Sequence, residues 1–137
     1  SNELRDDGLA ALCESEHLTN LKRLSLVNCD VGNPGVKALA GSALGSRLEL
    51  LDLQGNTRAG IDSVRVLFGG GAFPRLRELH LQATIGVKGL QTIAASKPAF
   101  ALRAFSVYVE EKANLEGFFA WPGLESVRDL NLMNSLV

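Results

Sequence analysis

The chain contains few of the residues that carry catalytic, metal-binding or redox chemistry. Its 137 residues include two cysteines, two histidines, one methionine, one tryptophan and one tyrosine. The spacing of Cys13 and Cys29, with no histidine in a matching position, fits no metal-ligand motif, so we expect no metal and no cofactor. Two cysteines also make no disulfide framework, which favours a reducing compartment and predicts a cytoplasmic location.

Strong charge bias and long apolar runs are also absent. A formal net charge of −1 leaves no surplus of Lys and Arg to face phosphates, so we expect no nucleic acid partner. The longest apolar stretch, around 93–109, is interrupted by Lys97, Pro98 and Arg103. It falls short of the roughly 20 residues that cross a bilayer, and we expect no membrane insertion. The length and the 46% hydrophobic content predict a single domain, 1–137.

What the sequence does contain is a short pattern in five copies. Its clearest copy is LRELHLQATIG (76–86), where Leu79 and Leu81 share one face of a short strand and His80 takes the other. The copies start at residues 21, 48, 76, 102 and 127, which are 27, 28, 26 and 25 residues apart. A period of this length indicates repeats that stack to bury a continuous core.

The repeat resembles the leucine-rich repeat family. The pattern LxxLxLxxC from Leu21 to Cys29, with GVKALA and GLQTIA on the following segments, is similar to the ribonuclease-inhibitor-like and cysteine-containing subtypes. The resemblance implies an α/β fold: a right-handed solenoid of about five repeats, with a parallel concave β-sheet and short convex helices. It also implies that the ninth repeat position points inward, so Cys29 is expected to be a buried structural residue. Such solenoids host many functions.

The segment after the first strand predicts the clearest helix. Asn33 suits the N-cap and Pro34 the first helical position. Apolar residues then follow helical spacing from Val36 to Leu44. In the next repeat Arg58 stands where an apolar residue is expected, which predicts a looser turn.

The fourth repeat departs from the pattern. Glu110 takes its ninth position and is expected to point outward, because burying an unpaired carboxylate is costly. Trp121 is expected to fill a gap left by a short helix; the alternative is that it stands out as a contact residue.

Parallel strands about 4.8 Å apart align equivalent repeat positions into columns on the concave face. The columns mix aromatic, basic and hydrogen-bonding side chains, which are common in protein interfaces. We therefore predict a non-catalytic scaffold that binds a protein or peptide partner there. The predicted contact residues are Arg23 and Glu78 of position three, Ser25, Asp52, His80, Ser106 and Asn131 of position five, and Gln54, Gln82, Tyr108 and Met133 of position seven.

Two alternative functions remain open. The chain ends after Val137 with no polar helix to cover Leu130 and Leu132. Because solenoids need capped ends, this predicts a fragment of a longer repeat protein, or a homodimer through uncapped terminal repeats. The first alternative is thus a structural or regulatory repeat segment of a larger sensor or effector protein.

The second alternative is a hydrolase. Asp52, His80 and Ser106 are consecutive in one column and offer the carboxylate, imidazole and hydroxyl of nucleophilic catalysis. Against it, side chains that point together into water form no closed pocket, and the ladder already uses the backbone N–H groups. Asp52 beside His80 would instead favour the imidazolium and a pH-sensitive contact.

Overall fold

The repeats fold as short parallel strands joined by helices. The computed structural model describes residues 4–109 and 115–134. Its strands are β1 (Arg23–Ser25), β2 (Leu50–Asp52), β3 (Glu78–His80), β4 (Ala104–Val109) and β5 (Asp129–Asn134). They form one sheet in the order β1-β2-β3-β4-β5, and all neighbours are parallel. The α-helices of the described residues are α1 (Arg5–Cys13), α2 (Asn33–Ala40), α3 (Ala43–Arg47), α4 (Ile61–Gly69), α5 (Gly86–Ala95) and α6 (Glu116–Phe119). The predicted α/β solenoid is confirmed.

Side-chain alternation in the strands builds the core. Positions four and six of the first four repeats are buried and pack with the apolar sides of the helices: Leu24, Leu26, Leu51, Leu53, Leu79, Leu81, Phe105 and Val107. Positions three and five point to the opposite face of the sheet. None of the helices within 4–109 and 115–134 is long and apolar enough to cross a membrane.

The ninth repeat position fastens neighbouring repeats. Asn56 is fully buried, and its Oδ1 accepts hydrogen bonds from the backbone N–H groups of Cys29 (3.2 Å) and Val31 (3.0 Å). Its Nδ2 donates to the carbonyl oxygens of Leu26 (2.7 Å) and Leu53 (2.8 Å). One amide therefore satisfies polar backbone groups of two successive turns, which burial would otherwise leave unpaired.

Helices α2 and α4 are each capped by a side chain from the preceding repeat. Asn33 is the first residue of α2, and Gly32 is its N-cap, so the predicted N-cap role of Asn33 is wrong. The Oδ1 of Asn33 instead accepts from the N–H groups of Gly60 (3.0 Å) and Ser63 (3.1 Å), at the start of α4. One repeat earlier, Asp6 Oδ1 accepts in the same way from Gly32 N–H (2.8 Å), at the start of α2. These hydrogen bonds join α1 to α2 and α2 to α4.

The predicted helix from Asn33 to Leu44 is divided in two. Helix α2 ends at Ala40, and α3 begins at Ala43. Ser42 Oγ accepts from Gly45 N–H (3.3 Å) and so caps α3. Serine is a favourable N-cap residue, so a second helix can begin after Gly41 at little cost in free energy.

Arg58 does not loosen its turn. Its Nε donates to Asp30 Oδ1 (2.9 Å), and its Nη2 donates to the carbonyl oxygen of Asp30 (2.6 Å) and contacts Asp6 Oδ2 (3.3 Å). The hydrogen bond to Asp30 raises the pKa of the guanidinium. Ala59, the next residue, is fully buried and takes the apolar place. Arg58 thus links this turn to the turn that contains Asp30 and to helix α1, which contains Asp6.

Three aromatic residues of the fourth repeat, Phe105, Phe118 and Trp121, are buried in the core, whereas Phe119 is exposed. Trp121 is buried, and its Nε1 donates to the carbonyl oxygen of Ser96 (3.0 Å). Its ring lies 5.7 Å from that of Phe68 and 6.3 Å from that of Phe105. The favoured prediction for Trp121 is confirmed. The prediction for Glu110 falls outside the described residues.

Replacing Asn56 by Ala tests the ninth-position fastening. We expect Asn56→Ala to lower the free energy of unfolding by about 3 kcal/mol or more, because buried N–H and carbonyl groups on two turns lose their partner. Urea denaturation followed by circular dichroism measures this change. Thr57→Ala, at the adjacent exposed position, is the control and should stay within about 0.5 kcal/mol of the parent chain. Equal stabilities of the two variants would contradict the assignment.

Candidate functional site

The face of the sheet turned away from the helices carries the predicted contact residues, and we call it the sheet face. Strand register places Arg23, Leu50, Glu78, Ala104 and Asp129 side by side. The next column contains Ser25, Asp52, His80, Ser106 and Asn131. Tyr108 is paired with Met133 at position seven. The columns read from the sequence match this register.

Accessibility divides the predicted residues. Nine of the eleven are exposed or half-buried: Arg23, Ser25, Asp52, Gln54, Glu78, His80, Tyr108, Asn131 and Met133. Gln82 and Ser106 are buried, with 0% and 3% of their surface exposed. These two side chains are therefore not available to a partner.

The prediction that Gln82 lies on the sheet face is wrong. Strand β3 ends at His80, and the chain enters a 3-10 helix at Ala83–Ile85. Gln82 turns inward, and its Nε2 donates to the carbonyl oxygen of Ala59 (2.8 Å). Thr84, which takes the ninth position of this repeat, is exposed and donates its Oγ1 hydrogen to the same carbonyl (2.7 Å). Because the chain turns early, the buried polar side chain of this repeat lies at position seven instead of position nine.

His80 connects a carboxylate to a hydroxyl on the sheet face. Its Nε2 lies 2.8 Å from Glu78 Oε2, and its Nδ1 lies 2.6 Å from Ser106 Oγ. Glu78 is two residues earlier on the same strand, so both side chains emerge on one face. Ser106 is the register partner of His80 on β4. We call these three residues the His80 network.

The carboxylate of this network is not the predicted one. Asp52 is the register partner of His80 on β2. However, its Oδ1 accepts from the backbone N–H of Gln54 (3.0 Å), because β2 ends at Asp52 and the carboxylate closes the turn that follows. The expected pairing of Asp52 with His80, and the triad built on it, are therefore wrong.

The contacts of His80 fit one tautomer of its neutral ring when Glu78 is ionised. An ionised carboxylate can only accept, so Nε2 carries a hydrogen and donates to Glu78. In the neutral ring, Nδ1 then accepts the hydroxyl hydrogen of Ser106. This order of groups resembles a nucleophile with its base and orienting carboxylate. Yet Ser106 is only 3% exposed, so its hydroxyl offers little surface to a substrate.

A second contact crosses the sheet face. Gln54 Nε2 lies 3.7 Å from Met133 Sδ, although β2 and β5 are separated by β3 and β4 in the sheet. Gln82, which occupies the same repeat position between them, has turned inward. The contact therefore links the β2 side of the sheet face to its β5 side.

The cysteines occupy structural positions. Cys29 is buried, and its Sγ lies 3.5 Å from the carbonyl oxygen of Val27, as expected for the ninth position. Cys13 packs against the core, and burial raises the pKa of its thiol. Within the part of the chain that the structure describes, no group of three His, Cys, Asp or Glu side chains could hold a metal ion.

Position two forms a further column that the sequence prediction did not include. It contains Lys22, Glu49, Arg77, Arg103 and Arg128, immediately before the five strands. The repeat alignment that gave positions three, five and seven also gives this column. Position two lies just before each strand, so the alternation of side chains within the strands does not point to it.

A leucine-rich repeat family model matches residues 17–40, which include β1 and α2. The match supports a leucine-rich repeat family, in agreement with the repeat pattern and the parallel sheet. No curated protein matches the chain.

A serine-directed probe tests the chemistry of the His80 network. We expect a fluorophosphonate to leave Ser106 unlabelled, because the burial of its hydroxyl prevents attack. Mass spectrometry of the treated chain detects the adduct. Ser25→Ala, which removes the exposed serine of the same column, controls for surface labelling. Labelling at Ser106 that disappears in His80→Ala would contradict this expectation and indicate a hydrolase.

Proposed function

We propose that this chain is a non-catalytic protein-interaction scaffold that binds a protein or peptide partner on the sheet face. The observation that carries the proposal is the accessible set of polar, charged and aromatic side chains across five strands in register. A leucine-rich repeat supports a scaffold role in general. The sheet face adds the chemistry by which a partner would be recognised.

Arg23 and Tyr108 are the proposed anchors of this surface. Arg23 is exposed on β1, and Tyr108 is half-buried on β4. Arginine and tyrosine are enriched among residues whose truncation weakens interfaces, because each combines a large contact area with a polar group. They lie on either side of the central strand β3.

The His80 network supports binding by holding polar atoms in place. His80 and Glu78 are partly exposed, with side-chain exposures of 21% and 35%. Their hydrogen bonds hold the imidazole and the carboxylate before a partner arrives. Groups that are ordered in the free protein lose less conformational entropy on association.

Three finer features belong to the same proposal. The buried Cys29 supports the ribonuclease-inhibitor-like or cysteine-containing subtype. The two free thiols support a reducing, cytoplasmic setting. The continuous core from the first to the fourth repeat supports a single domain over 1–137.

Photo-crosslinking followed by affinity measurement tests the sheet face. A benzophenone amino acid at position 108 should capture a partner that the same group at position 88, on α5, does not capture. With that partner purified, we expect Arg23→Ala and Tyr108→Ala each to weaken binding about tenfold by calorimetry. Both variants should melt at a temperature similar to that of the parent chain.

Lys88→Ala is the matched control for this experiment. Lys88 is exposed on the helical side, away from the proposed surface. Its substitution should leave the affinity unchanged. A partner that crosslinks equally from both positions, or binds Arg23→Ala and Tyr108→Ala as tightly as the parent chain, would refute binding on the sheet face.

A second candidate function is a structural or regulatory repeat segment of a larger sensor or effector protein. Leu130 and Leu132 occupy the inward positions four and six of β5, but each is 39% exposed. Their equivalents in the first four repeats are buried. These side chains therefore offer an apolar strip that another chain segment, or a second copy of this chain, could cover.

Light scattering over a concentration series tests this candidate. We expect the chain to dimerise as its concentration rises, because pairing would bury Leu130 and Leu132. Leu130→Glu combined with Leu132→Glu should give a monomer at every concentration. Asn131→Glu is the control, since its side chain lies on the opposite face of the same strand and should leave the dimer intact. A parent chain that stays monomeric throughout would contradict the expected pairing.

A further inference from the structure

Basic side chains stand in a row where the strands begin. Arg77, Arg103 and Arg128 occupy position two of three successive repeats, each one residue before its strand. We call these three residues the arginine row. It precedes the sheet face along each strand and shares no residue with it.

Backbone hydrogen bonds fix the spacing of the row. Arg103 N–H donates to the carbonyl oxygen of Arg77 (2.6 Å), and Arg128 N–H donates to that of Arg103 (2.8 Å). The three backbones therefore continue the parallel ladder, in which neighbouring strands lie about 4.8 Å apart. Three long cationic side chains start from points this close together.

The charges of the row are not neutralised by the described residues. Arg77, Arg103 and Arg128 are exposed, and none of them forms an ion pair with a carboxylate in 4–109 or 115–134. In the same column, Lys22 and Glu49 do pair, at 3.9 Å. Like charges on adjacent strands destabilise a sheet, so an anion that binds the row would relieve this repulsion.

An open cavity lies beside the row. Its volume is about 370 Å³, and its lining residues include Arg75, Arg77 and Arg103. Glu49, Pro74 and Ala101 also line it. Three arginines thus line the cavity together with one acidic residue, Glu49, whose carboxylate pairs with Lys22 at 3.9 Å. The cavity combines positive charge with an apolar wall.

We propose that the arginine row and this cavity bind an acidic peptide segment of a partner protein. Aspartate or glutamate carboxylates accept hydrogen bonds from the guanidinium groups, whose planar arrangement of donors matches a carboxylate in two-point contact. The methylene groups of a glutamate side chain lie against Pro74 and Ala101 in the cavity.

The charge distribution favours an acidic peptide over nucleic acid. The row is short, Glu49 borders it on one side, and Asp129 follows Arg128 directly as an exposed residue. A continuous phosphate backbone would meet these carboxylates, and the whole chain carries a net charge of −1. A peptide with two or three carboxylates can engage the row without extending past it.

Fluorescence polarisation with fluorescein-labelled hexaglutamate tests the proposal on the complete chain. We expect saturable binding that weakens as NaCl is raised, because salt screens charge interactions. Arg77→Gln combined with Arg103→Gln should weaken binding about tenfold, since two exposed charge contacts are lost. The corresponding double lysine variant, R77K with R103K, should recover part of the loss because it keeps the charge without the planar donors.

Controls distinguish the row from general electrostatics. Lys37→Gln combined with Lys88→Gln removes two exposed charges from helices α2 and α5 and should bind hexaglutamate like the parent chain. Labelled hexaglutamine should not bind. An equal loss in the K37Q and K88Q double variant, or no binding of hexaglutamate at all, would overturn the proposal.

Two further probes separate other anions from the acidic peptide. Labelled hexathymidylate that binds as tightly as hexaglutamate, and through the same arginines, would overturn the proposal in favour of nucleic acid. Inorganic phosphate that displaces hexaglutamate at low millimolar concentration would overturn it in favour of a small-anion site. These measurements do not involve the sheet face. A negative result for the arginine row therefore leaves the proposed function of the sheet face unchanged.

Discussion

The fold depends on satisfying buried backbone groups between repeats. A solenoid made of strands of three to six residues and short helices leaves many N–H and carbonyl groups in its turns, away from water. Asn56 satisfies four of them with one side-chain amide. Asn28, Asp30 and Gly55 accept left-handed backbone conformations nearby, with φ values of 54°, 56° and 79°. The regular register of the sheet, and hence the sheet face and the arginine row, follows from these turns.

Much of the architecture could be predicted from the repeat period. The repeat period gave the strand positions and the columns, because a stacked strand admits one register once its apolar residues face inward. The resemblance to leucine-rich repeats implied that the sheet is parallel. Local polar contacts were harder to predict. Asn33 looked like a cap for its own helix, but the cap serves the next helix because stacking brings that helix within reach. A contact between repeats cannot be read from local sequence preferences.

The repeat columns predicted which side chains lie on the sheet face, but they did not predict which hydrogen bonds those side chains form. Asp52 and Glu78 both lie beside His80, and only side-chain geometry decides which one binds it. Asp52 has a short side chain and ends its strand, so its carboxylate accepts a hydrogen bond from the backbone N–H of Gln54, two residues later. Glu78 has a longer side chain and lies two residues before His80 on the same strand, so its carboxylate reaches the imidazole. Gln82 left the sheet face because β3 ends two residues earlier. Side-chain length and the residue at which a strand ends, neither of which the repeat pattern specifies, explain these differences.

The helix caps give the solenoid a direction. Asp6 caps the helix of the next repeat, and Asn33 caps the one after it, so each cap comes from chain that precedes its helix. During synthesis, the capping side chain has already emerged when the helix that needs it appears. A helix at the N-terminal side can therefore dock and then receive its successor. Assembly in the opposite order would begin with a helix whose first N–H groups lack their partners. The structure is thus suited to growth from the amino end, one repeat at a time.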